Sequence, residues 1–94
     1  MQYRVHPTKS FRKDVRRLEK SRGDRMQKLR ETILMLKNGE KLPNHYKNHK
    51  LNGKYIEHEE CHIQPDWLLI YQKNESKLML ILTRTGSHAD LFNE

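Results

Sequence analysis

The chain has 94 residues, of which 34% are apolar and 33% charged, and its formal net charge is +7. That length suits a single domain, residues 1–94, with one modest core. It holds no run of about 18 apolar residues, which excludes a membrane-spanning helix, no apolar N-terminal stretch of the signal-peptide kind, and one cysteine, Cys61, which excludes an internal disulfide; together these predict a cytoplasmic protein without a membrane partner.

The charge is unevenly spread. Residues 1–56 carry 16 Lys/Arg against 5 Asp/Glu, and residues 57–94 carry 3 against 7. The first part is therefore an electrostatic footprint for a polyanion, nucleic acid or an acidic protein, and the second is not. The competing reading is a solvated, lysine-rich surface that aids solubility.

Tyr3-Arg4-Val5-His6 alternates and stops at Pro7, so it reads as a short edge strand. Thr8 or Ser10 can cap a helix after it. Phe11, Val15 and Leu18 form the apolar stripe of that helix, whose other faces carry Lys9, Arg12, Lys13, Arg16, Arg17 and Lys20. Gly23 breaks the helix and Asp24 can cap the next, in which Met26, Leu29, Ile33 and Leu36 make a second stripe. Gly39 stands where a helix C-cap belongs.

A polar loop runs from Leu42 to about Gly53. Residues 55–63 read as a strand of mixed character ended by Pro65-Asp66, residues 67–72 as a short apolar strand, and residues 77–85 as another. Gly86 ends the last, and Ser87 with Asp90 three residues later marks one capped helical turn through Phe92. The order β-α-α-β-β-β plus a short C-terminal helix predicts an α+β fold, a helical hairpin packed on an antiparallel sheet. The core is expected at residues 26–36 and 67–82, where the apolar side chains concentrate. Arg84 shares parity with Leu78, Leu80 and Leu82, which requires either a bulge near Thr83 or a sheet covered on both faces.

The polar residues after position 44 carry the chemistry. His45, His49, His58, His62 and His88 all lie there, with Asp66 and Arg84 among them. Asp66, Arg84 and His88 sit at element ends, where a rigid sheet presents functional groups. Cleaving RNA without a metal needs a base for the 2′-hydroxyl, an acid for the departing 5′-oxygen and a cation for the crowded phosphate. Histidine can do either proton transfer near neutrality. Asp66 can serve if buried, or can orient a histidine, and the Arg84 fork matches phosphate oxygens. Trp67, Tyr46, Tyr55 and Phe92 are candidates to stack unpaired bases.

Plainer readings stand beside these. His6 and His58 read as surface. His45 and His49 have the i, i+4 spacing of helical zinc ligands, but between Pro43 and Gly53 no helix is expected, so no metal and no cofactor is assigned. Cys61 reads as a small buried hydrophobe rather than a nucleophile. Trp67 suits a core as well as a stacking platform, and Phe92 can simply dock the last turn.

Three stretches carry a family likeness. Leu42-Pro43-Asn44-His45-Tyr46-Lys47-Asn48-His49-Lys50-Leu51-Asn52-Gly53 resembles the loop before the second strand of YafQ-type toxins, within the RelE/ParE toxin superfamily. Glu60-Cys61-His62-Ile63-Gln64-Pro65-Asp66-Trp67-Leu68-Leu69-Ile70-Tyr71 resembles that family's central motif. Arg84-Thr85-Gly86-Ser87-His88-Ala89-Asp90-Leu91-Phe92 resembles its C-terminal signature. The resemblance implies a RelE-like fold and a type II toxin–antitoxin toxin, an endoribonuclease that cuts mRNA in the ribosomal A site. It implies acid-base roles for His49, His62, Asp66 and His88, phosphate support from Arg84, and substrate contacts from Trp67 and Phe92, beside Tyr46. It implies an antitoxin that wraps the toxin, and promoter DNA bound through that complex alone. The basic residues Arg12, Lys13, Arg16, Arg17 and Lys20 are then expected to dock ribosomal RNA and to meet an acidic antitoxin.

One departure stands out. Many relatives have a basic residue where this chain has Glu59, inside the acidic run Glu57-His58-Glu59-Glu60. Either phosphate binding is weakened or these carboxylates face away from the site. Two rivals remain from other classes: a same-fold toxin aimed at another target such as DNA gyrase, against which the histidines argue, and a non-catalytic basic nucleic-acid-binding module.

Overall fold

The structure is a computed structural model that describes residues 2–22 and 25–92; the helix break at Gly23 and the cap at Asp24 lie outside the described residues. Strand β1 spans Arg4–Pro7 and leads into helix α1, Lys9–Arg22. Thr8 caps α1, its Oγ1 accepting the Phe11 N–H at 3.0 Å and donating to the Thr83 carbonyl at 2.8 Å, so the cap also ties the helix to the sheet. Helix α2, Met26–Lys37, ends in a Schellman turn: the Glu40 N–H reaches the Met35 carbonyl and the Gly39 N–H that of Leu36, with Gly39 at φ +75°.

Strands β2 (His49–Lys50), β3 (Glu59–Gln64), β4 (Trp67–Asn74) and β5 (Met79–Gly86) come next, then a short helix α3, His88–Phe92. The sheet order is β1-β5-β4-β3-β2. β1 runs parallel to β5 at one edge, and the other pairs are antiparallel. The α+β class and the order of its main elements match expectation; β2 and the parallel edge do not appear in it.

The strand expected from residue 55 begins only at Glu59. Gly53–Tyr55 form a single 3-10 turn, Glu57 takes φ +71°, and the His58 N–H returns to the Tyr55 carbonyl. The chain therefore reverses there instead of extending, and the aromatic that suggested a strand points into the interior.

Both faces of the sheet are covered. Phe11 and Leu18 of α1 and Met26, Leu29 and Leu36 of α2 pack with Cys61, Leu69 and Leu80 on one face. On the other, Leu68 and Ile70 pack with Tyr55 and Leu91. Residues 67–71 are accordingly all buried, and their apolar run has no polar alternation to show. The parity conflict at Arg84 is resolved by a bulge as well. Ile70 pairs with Arg84 but Tyr71 with Leu82, so Thr83 is the extra residue and Arg84 turns to the face of Ile70.

Candidate active site

The face opposite α1 and α2 carries a row of rings. His49 on β2 stands 6.4 Å from His62 on β3, His62 stands 6.1 Å from His88 at the start of α3, and His88 stands 5.9 Å from Phe92, all between ring centroids. Phe92 in turn meets the Tyr55 ring edge-on at 6.0 Å. Three histidines from distant points of the sequence are thus neighbours because β2 pairs with β3 and α3, after β5, packs on the same face of the sheet through Leu91. His45 and His58 fall outside this row, His45 against Tyr46 and His58 against Tyr55.

Beneath the first two histidines lies a group the motifs did not single out. Glu60 is 3% exposed, and its Oε1 is 3.3 Å from His49 Nε2 and 3.7 Å from His62 Nε2. Its sequence signal was there, an acidic residue of the same parity as His62 in the next strand position but one. A buried carboxylate needs a cationic or hydrogen-bonding partner, and the imidazoles supply it. His49 is held on its other side as well, Nδ1 lying 2.9 Å from the Lys47 carbonyl. Glu59, by contrast, faces the helix side, where Asn48 donates to it at 2.7 Å and the Tyr71 hydroxyl lies at 3.4 Å. The departure from the family pattern is therefore directed away from the row, and the carboxylate inside it is Glu60.

Asp66 is in the β3–β4 turn with its side chain 71% exposed, so of its two expected uses the orienting one has the geometry. Its Oδ1 accepts the His88 backbone N–H at 3.3 Å and lies 3.8 Å from His88 Nδ1. Ser87 and Asp90 close the capping box reciprocally, at 3.2 and 3.1 Å. His88 is thereby fixed by the turn before β4 and by the cap of its own helix.

Arg84 reaches round the edge of β5 to Asp14 on α1. Nε donates to Oδ2 at 2.7 Å and Nη2 to Oδ1 at 3.1 Å. The hydrogen bond to Asp14 raises the Arg84 pKa above the ordinary arginine value. Arg17 adds a second cation to Asp14 at 3.3 Å and touches Asp90 at 3.6 Å. Arg12, Lys13, Arg16 and Lys20 are exposed along α1, so of the five docking candidates only Arg17 also has a structural use.

The expected substrate contacts separate. Phe92 is 41% exposed and beside His88, open to a stacking partner. Trp67 is wholly buried in the helix-side core, its Nε1–H donating to Thr85 Oγ1 at 3.0 Å; it has no face to offer a base. Tyr46 packs against the same core, and its hydroxyl accepts from Thr32 at 3.2 Å. The Tyr46 ring backs His45, which with Lys28, Lys47 and His62 lines an open hollow of about 470 Å³. Cys61 is buried, and desolvation, then Glu60 and Glu59, push its thiol up to about 12, which removes it as a nucleophile.

Among the described residues no group of three or more His, Cys, Asp or Glu is arranged to hold a metal ion, and no helix is long and apolar enough to cross a membrane. The family profile described as bacterial toxin of type II toxin-antitoxin system, YafQ, matches residues 3–93. This chain belongs to the YafQ toxin family. The mRNA interferase toxin YafQ of Escherichia coli K12 is 39% identical over 83 residues, 87% of either chain. The YafQ chain in the crystal structure of the E. coli DinJ-YafQ complex superposes with a TM-score of 0.85 at 36% identity, over 97% of this chain and 99% of that one. A metal-bound toxin from Helicobacter pylori gives 0.87 at 36%, over 98% and 100%. The two helices, five-stranded sheet and short last helix described above are thus the YafQ fold.

Proposed function

We propose that this YafQ-family toxin is an mRNA interferase that cuts messenger RNA in the ribosomal A site by metal-free acid-base catalysis. The observation that carries the reading is the row His49, His62, His88, Phe92, which sets three imidazoles and a stacking ring along one face. The 2′-hydroxyl oxygen attacks the adjacent phosphorus as one imidazole removes its proton. The bond from phosphorus to the 5′-oxygen breaks, and a second, protonated imidazole gives that oxygen a proton. The products are a 2′,3′-cyclic phosphate and a 5′-hydroxyl. Glu60 steadies His49 and His62, Asp66 steadies His88, and the remaining N–H groups of Arg84 bind the phosphate. A base flanking the cut stacks on Phe92.

The Helicobacter relative is metal-bound. In this chain His49, His62 and Glu60 already turn toward one another, and the described residues offer no metal-holding group, so no step is assigned to a metal. DinJ is the partner of E. coli YafQ in the complex, and an acidic antitoxin is likewise the inhibitory partner of this chain, with promoter DNA bound through that complex. The basic face of α1 supports ribosomal RNA and the antitoxin as its ligands.

The test is an mRNA carrying a 2′-deoxy nucleotide at the cut, presented on translating ribosomes. It lacks the nucleophile and is expected to stay intact while the ribose form is cleaved; cleavage at the normal rate sinks the mechanism. Cleavage persisting after zinc- and copper-selective chelation, with magnesium kept for the ribosomes, is expected in parallel, and abolition that returns with added metal would overturn the metal-free step.

A further inference from the structure

Asp14 has no place in the chemistry above, yet it is buried and bonded through both carboxylate oxygens. It lies on α1, is 2% exposed, and accepts from the Arg84 Nε–H (2.7 Å), Arg84 Nη2 (3.1 Å) and the Thr85 N–H (3.1 Å), with Arg17 Nη2 at 3.3 Å. The position explains the set. β1 pairs with β5 only from Met79 to Leu82, and beyond Leu82 that edge of β5 would present unpaired N–H groups. Asp14 takes the Thr85 N–H there, as a neighbouring strand otherwise would. The same oxygen receives Arg84, whose direction is set by the bulge at Thr83.

Arg84 is constrained in two ways as a result. A guanidinium has five N–H donors in one plane; Asp14 occupies the Nε/Nη2 edge and the Tyr55 side chain takes one more hydrogen bond, so two donors remain. The fork also cannot swing, because its carboxylate partner belongs to a buried helix position. Tyr55, whose ring meets Phe92, lies against the guanidinium on the side of the histidine row. Charge is balanced across the network, since Arg84 and Arg17 meet Asp14 and Arg17 also meets Asp90, so what the site offers a phosphate is the oriented N–H edge of Arg84 and not a net positive charge. Through Arg17 the network continues to Asp90, which caps α3 and so bears on His88.

We infer that Asp14 is a positioning residue of the nuclease: it fixes the Arg84 fork so that the free N–H edge is already aimed at the scissile phosphate. The inference rests on the phosphate role of Arg84 given under the proposed function. A fork released from its carboxylate loses that orientation, and misplacement by about 1 Å costs on the order of 10²-fold in rate.

The test pairs Asp14→Asn with Arg84→Lys, which keeps the charge and removes the fork. Single-turnover cleavage is measured at saturating ribosomes, alongside ribosome affinity and circular dichroism. Asp14→Asn is expected to slow cleavage by on the order of 10²-fold with affinity unchanged. In the Arg84→Lys background it should cost little more, because the fork is already gone. An equal cost in both backgrounds overturns the inference, since a merely structural role acts regardless of Arg84. So does normal cleavage by Asp14→Asn when Arg84→Lys is impaired. If Arg84→Lys itself cuts normally, the phosphate role fails first and takes the inference with it. Should Asp14→Asn not fold, the native protein decides: its Arg84 Nε–H, assigned in nitrogen-edited NMR by its loss in Arg84→Lys, should exchange slowly and keep its own resonance, and exchange as fast as the surface arginines overturns the inference.

Discussion

His62 occupies the middle of the row, with His49 on one side and His88 on the other, so its loss removes a neighbour from both. His62→Ala, His88→Ala and Asp66→Ala are each expected to lower the cleavage rate by roughly 10²–10⁴-fold, the usual size of an acid-base contribution, with the fold intact by circular dichroism. His58, set apart against Tyr55 and the Ile56 carbonyl, is the control, and His58→Ala should cut close to the native rate. A loss at His58 as large as at His88 would move the site. Cys61 makes the opposite kind of prediction. Its folded pKa, about 12, is above the ordinary value of 9.0, so the group stabilises the fold below pH 9 and that stabilisation fades as pH rises toward 12. At pH 8 a thiol reagent should leave the native protein unmodified and label one thiol per chain after denaturation. Fast labelling of the native form would mean that the β3 interior opens readily.

At the scale of elements, α3 depends on the glycine before its cap. Gly86 has φ +155°, and a Cβ there would meet the Asp90 carboxylate at 3.1 Å and Arg17 Nη2 at 3.3 Å. Gly86→Ala is therefore expected to cost more than about 1 kcal/mol, which lowers the melting midpoint by roughly 4–8 °C per kcal/mol in a chain of this size. Cleavage should fall further than the stability loss explains, since the same shift moves His88. An unchanged midpoint and rate would show that α3 is seated by Leu91 alone. The sequence made this turn legible because a capping box is a local signal, carried by Ser87 and Asp90 within four residues. Helices α1 and α2 were legible for the same reason, through their stripes and the Gly39 stop. Strand β2 was not, because two exposed residues have no period to read. The parallel pairing of β1 with β5 is a long-range choice on which four residues are silent. The bulge at Thr83 showed only as a conflict of parity, and the row of histidines as a set of residues whose order in space the chain order does not give. Asp14 and Glu60 were hidden because burial of a single carboxylate depends on partners 70 and 11 positions away.

Over the whole molecule, the imidazole row and the basic side chains of α1 lie on different surfaces. The imidazole row stands on the sheet face opposite the two long helices, while Arg12, Lys13, Arg16 and Lys20 project from α1 into solvent. Under the proposed function, such a division has one surface hold ribosomal RNA while the other reaches the message, and it predicts that affinity is separable from rate. Arg17 does not belong to the separable set, since it joins Asp14 to Asp90 and reversing it would disturb both. Arg12, Lys13, Arg16 and Lys20 replaced together by Glu should weaken ribosome binding. For every phosphate that these side chains no longer neutralise, the log–log salt dependence should flatten by roughly 0.7–0.9, because fewer counterions are released. The rate once ribosomes saturate should stay near native, as none of the four touches the row. Adding Arg17→Glu to this variant should then lower the saturated rate as well, through Asp14 and α3. Binding curves across a salt series decide the matter: an unchanged slope and affinity would leave these charges as a solubilising surface only, and a fall in the saturated rate without Arg17→Glu would show that the basic face and the site are not independent.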